Sequence, residues 1–191
     1  MKYQKLLERL YGQPAFSITQ LKTLLGTKKI SNGYLHLLVH NLLARKKLKR
    51  ITKGFYSFNG DAQVVGFAFQ PFYYGLQDAL SLRNLWEQET NPVVITPRKI
   101  RPGLRKFGES NYVVKRIERR MFFGFNMVKY GGFWIPVSDA EKTLVDFAHY
   151  NQPLDENARA ELRKRIDKKK LAEYLKKTPE KTRLKALKLL R

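Results

Sequence analysis

The sequence predicts an α+β protein made of two small domains and a helical tail, and three features of its 191 residues lead there. Apolar residues recur at helical spacing in three short segments near the N-terminus, and two alternating segments around a Lys-Gly turn follow them. From residue 61 strand-like and helix-like segments interleave, whereas beyond about residue 150 the pattern is helical alone. Charge divides the chain in the same way. Residues 1–60 hold twelve Lys/Arg against one acid, Glu8; residues 61–150 hold twelve against nine; residues 151–191 hold fourteen against six. A basic head, a nearly neutral body and a basic tail are the domains this predicts, at 1–60, 61–150 and 151–191.

Within the head, Tyr3, Leu6, Leu7, Leu10 and Tyr11 predict a first amphipathic helix, stopped by Gly12 and Pro14. Phe16-Ser17-Ile18 reads as a short extended piece. Thr19 is placed to cap a second helix through Leu21, Leu24 and Leu25, which Gly26 closes. Ser31 offers the next N-cap, for a third helix running to about Lys46 with its apolar stripe at Tyr34/Leu35, Leu38/Val39 and Leu42/Leu43. Residues 48–51 and 55–58 then alternate around Thr52-Lys53-Gly54 as a hairpin. Three helices, the last two tightly joined, followed by a hairpin, is the order of a winged helix-turn-helix.

Residues 59–62 read as a linker. Beyond it Val64 to Phe69 suggests a buried strand, Phe72 to Trp86 a helix, and Val93 to Thr96 a strand after the Asn91-Pro92 turn. Pro97 to Gly108 reads as an Arg/Lys-dense loop, Tyr112 to Ile117 as a strand, and Phe133 to Val137 as another after Gly131-Gly132. Ser138-Asp139-Ala140-Glu141 fits a capping box, with Ser138 as the cap, opening a helix that carries Leu144, Val145, Phe147 and Ala148. The tail reads as helical, with breaks near residues 168–170 and at Thr178-Pro179 and with sparse apolar positions.

Composition narrows the function. Apolar residues make up 43% and aromatics 13%, enough for a packed core. No run of 18 apolar residues exists to span a membrane, and Met1-Lys2-Tyr3-Gln4 lacks the apolar stretch of a signal peptide, so a cytoplasmic protein is expected. The absence of cysteine excludes disulfides, thiolate zinc sites and a cysteine nucleophile. A formal charge of +22 draws polyanions, of which nucleic acid is the commonest in that compartment.

On the third helix Asn32, Gly33, His36, Leu37, His40, Asn41 and Arg45 lie off the apolar stripe. Such a face enters the major groove in a helix-turn-helix, and Asn, His and Arg hydrogen-bond base edges or phosphates; a merely solvated face would carry the same residues. His36 and His40 have i, i+4 spacing, but the residues between them, Leu37-Leu38-Val39, lack the glutamate of a metalloprotease helix, and no metal or cofactor is expected. Ser31, at the start of this helix, joins the candidate DNA-binding set. Lys28, Lys29, Lys46, Lys47, Lys49, Arg50 and Lys53 flank the helix or lie on the hairpin, where they suit phosphates, Lys53 at the tip most of all. Arg98, Lys99, Arg101, Arg105, Lys106, Arg116, Arg119 and Arg120 form a second basic group. The aromatics Phe122, Phe123, Phe125, Tyr130, Phe133 and Trp134 read as core. Asp139, Glu141, Asp146 and His149 resemble a catalytic cluster only superficially: Lys142 points about 100° around the helix from Glu141, and capping accounts for Ser138 and Glu141. An enzyme is not expected.

The strings FYYGLQDAL (72–80) and VSDAEKTLVD (137–146) resemble the AbiEi family of antitoxins and transcriptional regulators, and the hairpin LKRITKGFYSF (48–58) looks like that family's wing. The resemblance covers roughly residues 1–150 and implies a type IV toxin–antitoxin system. The winged helix would bind double-stranded DNA at repeats in its own promoter and repress it; the following domain would counteract a nucleotidyltransferase-like toxin. The alternatives are a nuclease or restriction-system component targeted by its winged helix, and an RNA-binding factor.

Overall fold

The computed structural model describes residues 4–26, 30–88 and 90–190 of a mixed α+β chain with two sheets. The chain divides into two compact units, Met1–Gln70 with Leu104–Tyr112, and Pro71–Gly103 with Val113–Arg191.

In the first unit α1 (Gln4–Tyr11), β1 (Phe16–Ser17), α2 (Ile18–Leu25), α3 (Asn32–Ala44), β2 (Lys49–Thr52) and β3 (Phe55–Ser57) follow in order. The strands form a small antiparallel sheet, β1-β3-β2, with Phe16 opposite Tyr56 and Arg50 opposite Tyr56 on the other side. Leu7, Leu10, Phe16, Leu21, Leu25, Leu35, Leu38, Val39, Leu42 and Leu48 close one core. Ser17, not Thr19, caps α2: Ser17 Oγ accepts from Gln20 N at 3.1 Å while Ser17 N donates to Gln20 Oε1 at 2.6 Å. The reciprocal pair satisfies two helix-start donors, Ser17 N and Gln20 N, whereas Thr19 already lies inside the helix. Helix α3 ends at Ala44 rather than Lys46, because Lys46 turns to φ 55 and Lys47 and Leu48 both donate to Leu42 O.

The 59–62 stretch is a hydrogen-bonded turn, with Asn59 Oδ1 accepting from Asp61 N at 2.8 Å. Asp61 then caps a 3-10 helix, Ala62–Phe69, where a strand was expected. An unbroken apolar run has no period to tell strand from helix. Val64, Val65, Ala68 and Phe69 are buried in it, so the first unit continues to Gln70. The expected loop at 97–108 contains β6 (Gly103–Phe107), which turns into β7 (Ser110–Arg116); its 104–112 stretch belongs to the first unit, with Phe69 and Tyr112 ring centroids 6.2 Å apart.

The second unit holds the later part of β7 beside β5 (Val93–Thr96), β4 (Tyr73–Tyr74), β9 (Phe133–Ser138) and β8 (Phe125–Tyr130), in that order. The helix expected over 72–86 is instead β4 followed by α4 (Leu76–Leu82). Tyr73 and Tyr74 lie central in the sheet, antiparallel to β5 and parallel to β9. Gly75 is closely packed: a Cβ there would press on the end of the Ile95 side chain. Strand β8, not anticipated, pairs along its whole length with β9, from Phe125–Ser138 to Tyr130–Phe133.

Helix α5 (Ala140–Tyr150) is capped by Asp139, whose carboxylate accepts from Lys142 N at 2.8 Å. The box expected on Ser138 does not form. Ser138 ends β9, its Oγ 2.7 Å from Thr143 Oγ1, and Glu141 accepts from Asp167 N instead of reaching back. Residues 151–190 fold as α6 (Glu156–Arg165), α7 (Lys168–Lys176) and α8 (Glu180–Leu189) around α5, and Leu154, Leu162, Leu171, Leu175 and Ala186 join the second unit's core. The breaks fall at Ile166-Asp167, where Asp167 caps α7, and at Thr178-Pro179. Among the described residues no helix is long and apolar enough to cross a membrane.

Candidate nucleic-acid interface

Ser31 starts α3 by accepting from Tyr34 N at 3.2 Å, so its side chain is a cap as well as a surface group. With Leu35, Leu38, Val39 and Leu42 turned into the core, the 100° step of the helix puts Asn32, His36, His40 and Asn41 on the solvent side, all exposed. Tyr34, expected in the apolar stripe, is 43% exposed. Asn32 Oδ1 accepts from Lys22 Nζ at 2.8 Å, a contact that ties the start of α3 to α2. Arg45, Lys46 and Lys47 are exposed beyond the helix end, where cations complement the carbonyl pole of α3.

The β2–β3 hairpin places Arg50 and Lys53 at the surface. Its turn rests on Gly54, at φ 80, whose carbonyl accepts from Ile18 N at 2.8 Å and so fixes the tip to the start of α2. Lys49 differs from the rest of the set. It is half-buried, with Nζ 5.8 Å from the Phe107 ring centroid and so close to Gly60 that a Cβ there would meet it at 2.8 Å. Lys28 and Lys29 lie outside the described residues. No acid stands on α3 or the hairpin.

The second basic group is divided between the two units, Arg105 and Lys106 in the first and the others in the second. Arg98, Lys99, Arg101 and Lys106 are exposed, but Arg105 is half-buried over the Phe69 ring, 5.2 Å from its centroid, and Arg120 pairs with Glu118 at 2.7 Å. Of the aromatics, Phe122 and Phe125 pack on Tyr73 and Phe123 on Tyr174, as core, whereas Trp134 is 56% exposed.

The acids of α5 all have structural partners. Asp139 accepts from Tyr174 Oη at 2.9 Å and pairs with Lys170 at 3.0 Å; Glu141 pairs with the same ammonium at 3.2 Å. Hydrogen bonds to these carboxylates hold Lys170 above its ordinary pKa, although partial burial pulls it down. Deeper in, Lys142 Nζ and Asp146 Oδ1 form an ion pair with both side chains at 0% exposure, and Tyr73 Oη donates to Asp146 Oδ2 at 3.0 Å. Tyr73 and Asp146 lie in the two separate strings that carry the sequence resemblance. A contact across 73 residues leaves no periodic signal, and sequence reasoning did not find it.

His149, on the same helix, has Nδ1 3.4 Å from Thr182 Oγ1 on α8. Burial lowers its pKa, against the pull of Asp146. The unfolded chain takes up a proton as pH falls through about 6.5, while the folded chain resists until lower pH. Stability from this group is therefore complete at neutral pH and is lost on acidification below that value. The urea midpoint of the second unit should fall between pH 7.5 and 5.5, and His149→Gln should flatten that dependence; a parent midpoint that is level over the interval would refute it.

No protein-family model and no curated protein matches the chain. Among solved structures it is similar to the Rv2827c protein from Mycobacterium tuberculosis, with a TM-score of 0.65 and 14% identity over 98% of this chain and 75% of that one. At that identity the likeness is one of fold.

Proposed function

We propose that the chain is a DNA-binding transcriptional repressor whose first unit works as a winged helix-turn-helix, with α3 in the major groove and the β2–β3 hairpin as the wing. The observation that carries this reading is the solvent face of α3. Asn32, His36, His40 and Asn41 stand exposed along one side of a helix that has no acid, with Arg45, Lys46, Arg50 and Lys53 exposed around it. Hydrogen-bonding groups in the middle and cations at the rim match base edges between two phosphate backbones. The order α1-β1-α2-α3-β2-β3, with β1 closing the small sheet, supports it further.

The second unit is read as the antitoxin part, acting against a nucleotidyltransferase-like toxin while the first unit represses their shared promoter. This rests on the resemblance of the strings at 72–80 and 137–146 to the AbiEi family. Their meeting at Tyr73, Lys142 and Asp146 supports treating them as one buried feature of that domain. Co-expression with such a toxin from the neighbouring gene tests it, with growth rescue as the supporting result.

DNA binding is tested by salt. If the wing and helix flanks neutralise roughly five to eight phosphates, log K falls against log salt by about 0.9 per contact, and Lys53→Ala lowers the slope by about one contact without changing sequence preference. Duplex RNA should compete poorly. A Lys53→Ala variant with the parent's slope, or equal competition by RNA, would count against the wing.

A further inference from the structure

We propose that Leu37 is a base-reading residue of this helix, packing against the 5-methyl group of a thymine in the major groove. The inference rests on the DNA-binding reading above and adds the means of discrimination. Along α3 the 100° step makes Gly33, Leu37, His40 and Ala44 the midline of the solvent face, opposite Leu35, Leu38 and Leu42. Those three leucines are buried, whereas Leu37 is 54% exposed. A leucine held at the centre of a solvated face has no folding role there. It does have a binding role if that face is later covered by a surface carrying an apolar group.

Charge selects what covers it. Residues 1–60 hold twelve Lys/Arg and a single acid, so a second copy of this face would be repelled and a polyanion attracted. Within the major groove the apolar feature that differs between base pairs is the thymine methyl, which aliphatic side chains contact. His36, His40 and Asn41 flank Leu37 with hydrogen-bonding groups for the neighbouring positions. One turn earlier, among the described residues, nothing beyond the helix's own backbone lies within 4 Å of where a Cβ on Gly33 would stand, so the first turn of the helix can approach the groove closely.

The test uses the full chain and a preferred duplex selected from a random-sequence library, in which each thymine is replaced in turn by uracil, deleting only the methyl. At one thymine per bound helix the parent should lose roughly 3- to 10-fold in affinity, the worth of one buried methyl group. Leu37→Ala should bind the thymine duplex weaker by a similar factor, show no further loss with uracil at that position, and keep the parent's salt slope. Its melting temperature should match the parent's, since the side chain is outside the core. Selection of a duplex with no thymine response overturns the proposal alone, as does a Leu37→Ala variant that keeps the full response or that differs from the parent only in sedimentation mass. Failure to enrich any duplex overturns the DNA-binding reading, and this proposal with it.

Discussion

Lys142→Met should destabilise the second unit by about 3–5 kcal/mol, the usual cost of removing one partner from a buried ion pair. The side chain it removes is fully buried, with its ammonium against Asp146 and 5.3 Å from the ring centroids of Tyr73 and Phe123. Methionine fills a similar volume, so packing is largely kept and the loss isolates the charge. Asp146 is left with one hydrogen bond, from Tyr73, in a site whose burial already raises its pKa against the pull of Lys142. Without the ammonium the carboxyl is driven further toward its neutral form. The deficit should therefore be largest at neutral pH and shrink as pH falls through the carboxylate range. Tyr73→Phe, which removes one hydrogen bond to a charged group, should cost less, about 1.5–3 kcal/mol. The double change Lys142→Met with Asp146→Leu should recover much of the loss, because neither charge is then buried alone. Urea unfolding at pH 7.5 and pH 5 measures all three. A Lys142→Met variant within about 1 kcal/mol of the parent at pH 7.5 would show that the pair does not hold the fold together.

The sequence was most readable where one element's period decides its place. The buried stripe of α3 at Leu35, Leu38, Val39 and Leu42, and the hairpin turned by Lys53-Gly54, follow from local spacing and turn chemistry. It was less readable where several residues compete for one role. Ser138 and Asp139 are adjacent candidates for the cap of α5, and pairing of β9 with β8 as far as Ser138 decides for Asp139. At Tyr73-Tyr74 the apolar positions suit a helix, yet two neighbouring strands claim the backbone. The basic tail has sparse apolar positions; Leu154, Leu162, Leu171 and Leu175 suffice to pack it because all four turn inward around α5. For the candidate interface, sequence located the exposed polar face of α3 but could not see that Lys49 is drawn toward Phe107, a residue 58 positions away.

A fragment of residues 1–60 has the basic charge and α3, but it should not bind the selected duplex as the full chain does. Its unit is completed by Val64, Val65, Ala68 and Phe69 from the 3-10 helix and by Phe107 and Tyr112 from the β6–β7 hairpin, all buried. Tyr112 Oη donates to Ile51 O at 2.7 Å, in the strand that carries Lys49 and Arg50. Arg105 Nη1 reaches Thr52 Oγ1 at 3.5 Å, next to Lys53. Without these segments Ile51 loses cover and a hydrogen-bond donor, and what is left is a small core under three very short strands, in a domain of a size that is marginal on its own. The fragment should lack a cooperative urea transition and bind more than about 10-fold weaker at equal salt, as expected if its competent state is a minor population. In the intact chain Tyr112→Ala should cost about 3–5 kcal/mol, as for other large-to-small changes at buried aromatics. Its DNA affinity should recover at low temperature or with added osmolyte, because no phosphate-binding side chain is removed. If residues 1–60 alone melt cooperatively and bind with the parent's affinity and salt slope, then the first unit is autonomous and the returning hairpin contributes nothing to the DNA-binding surface.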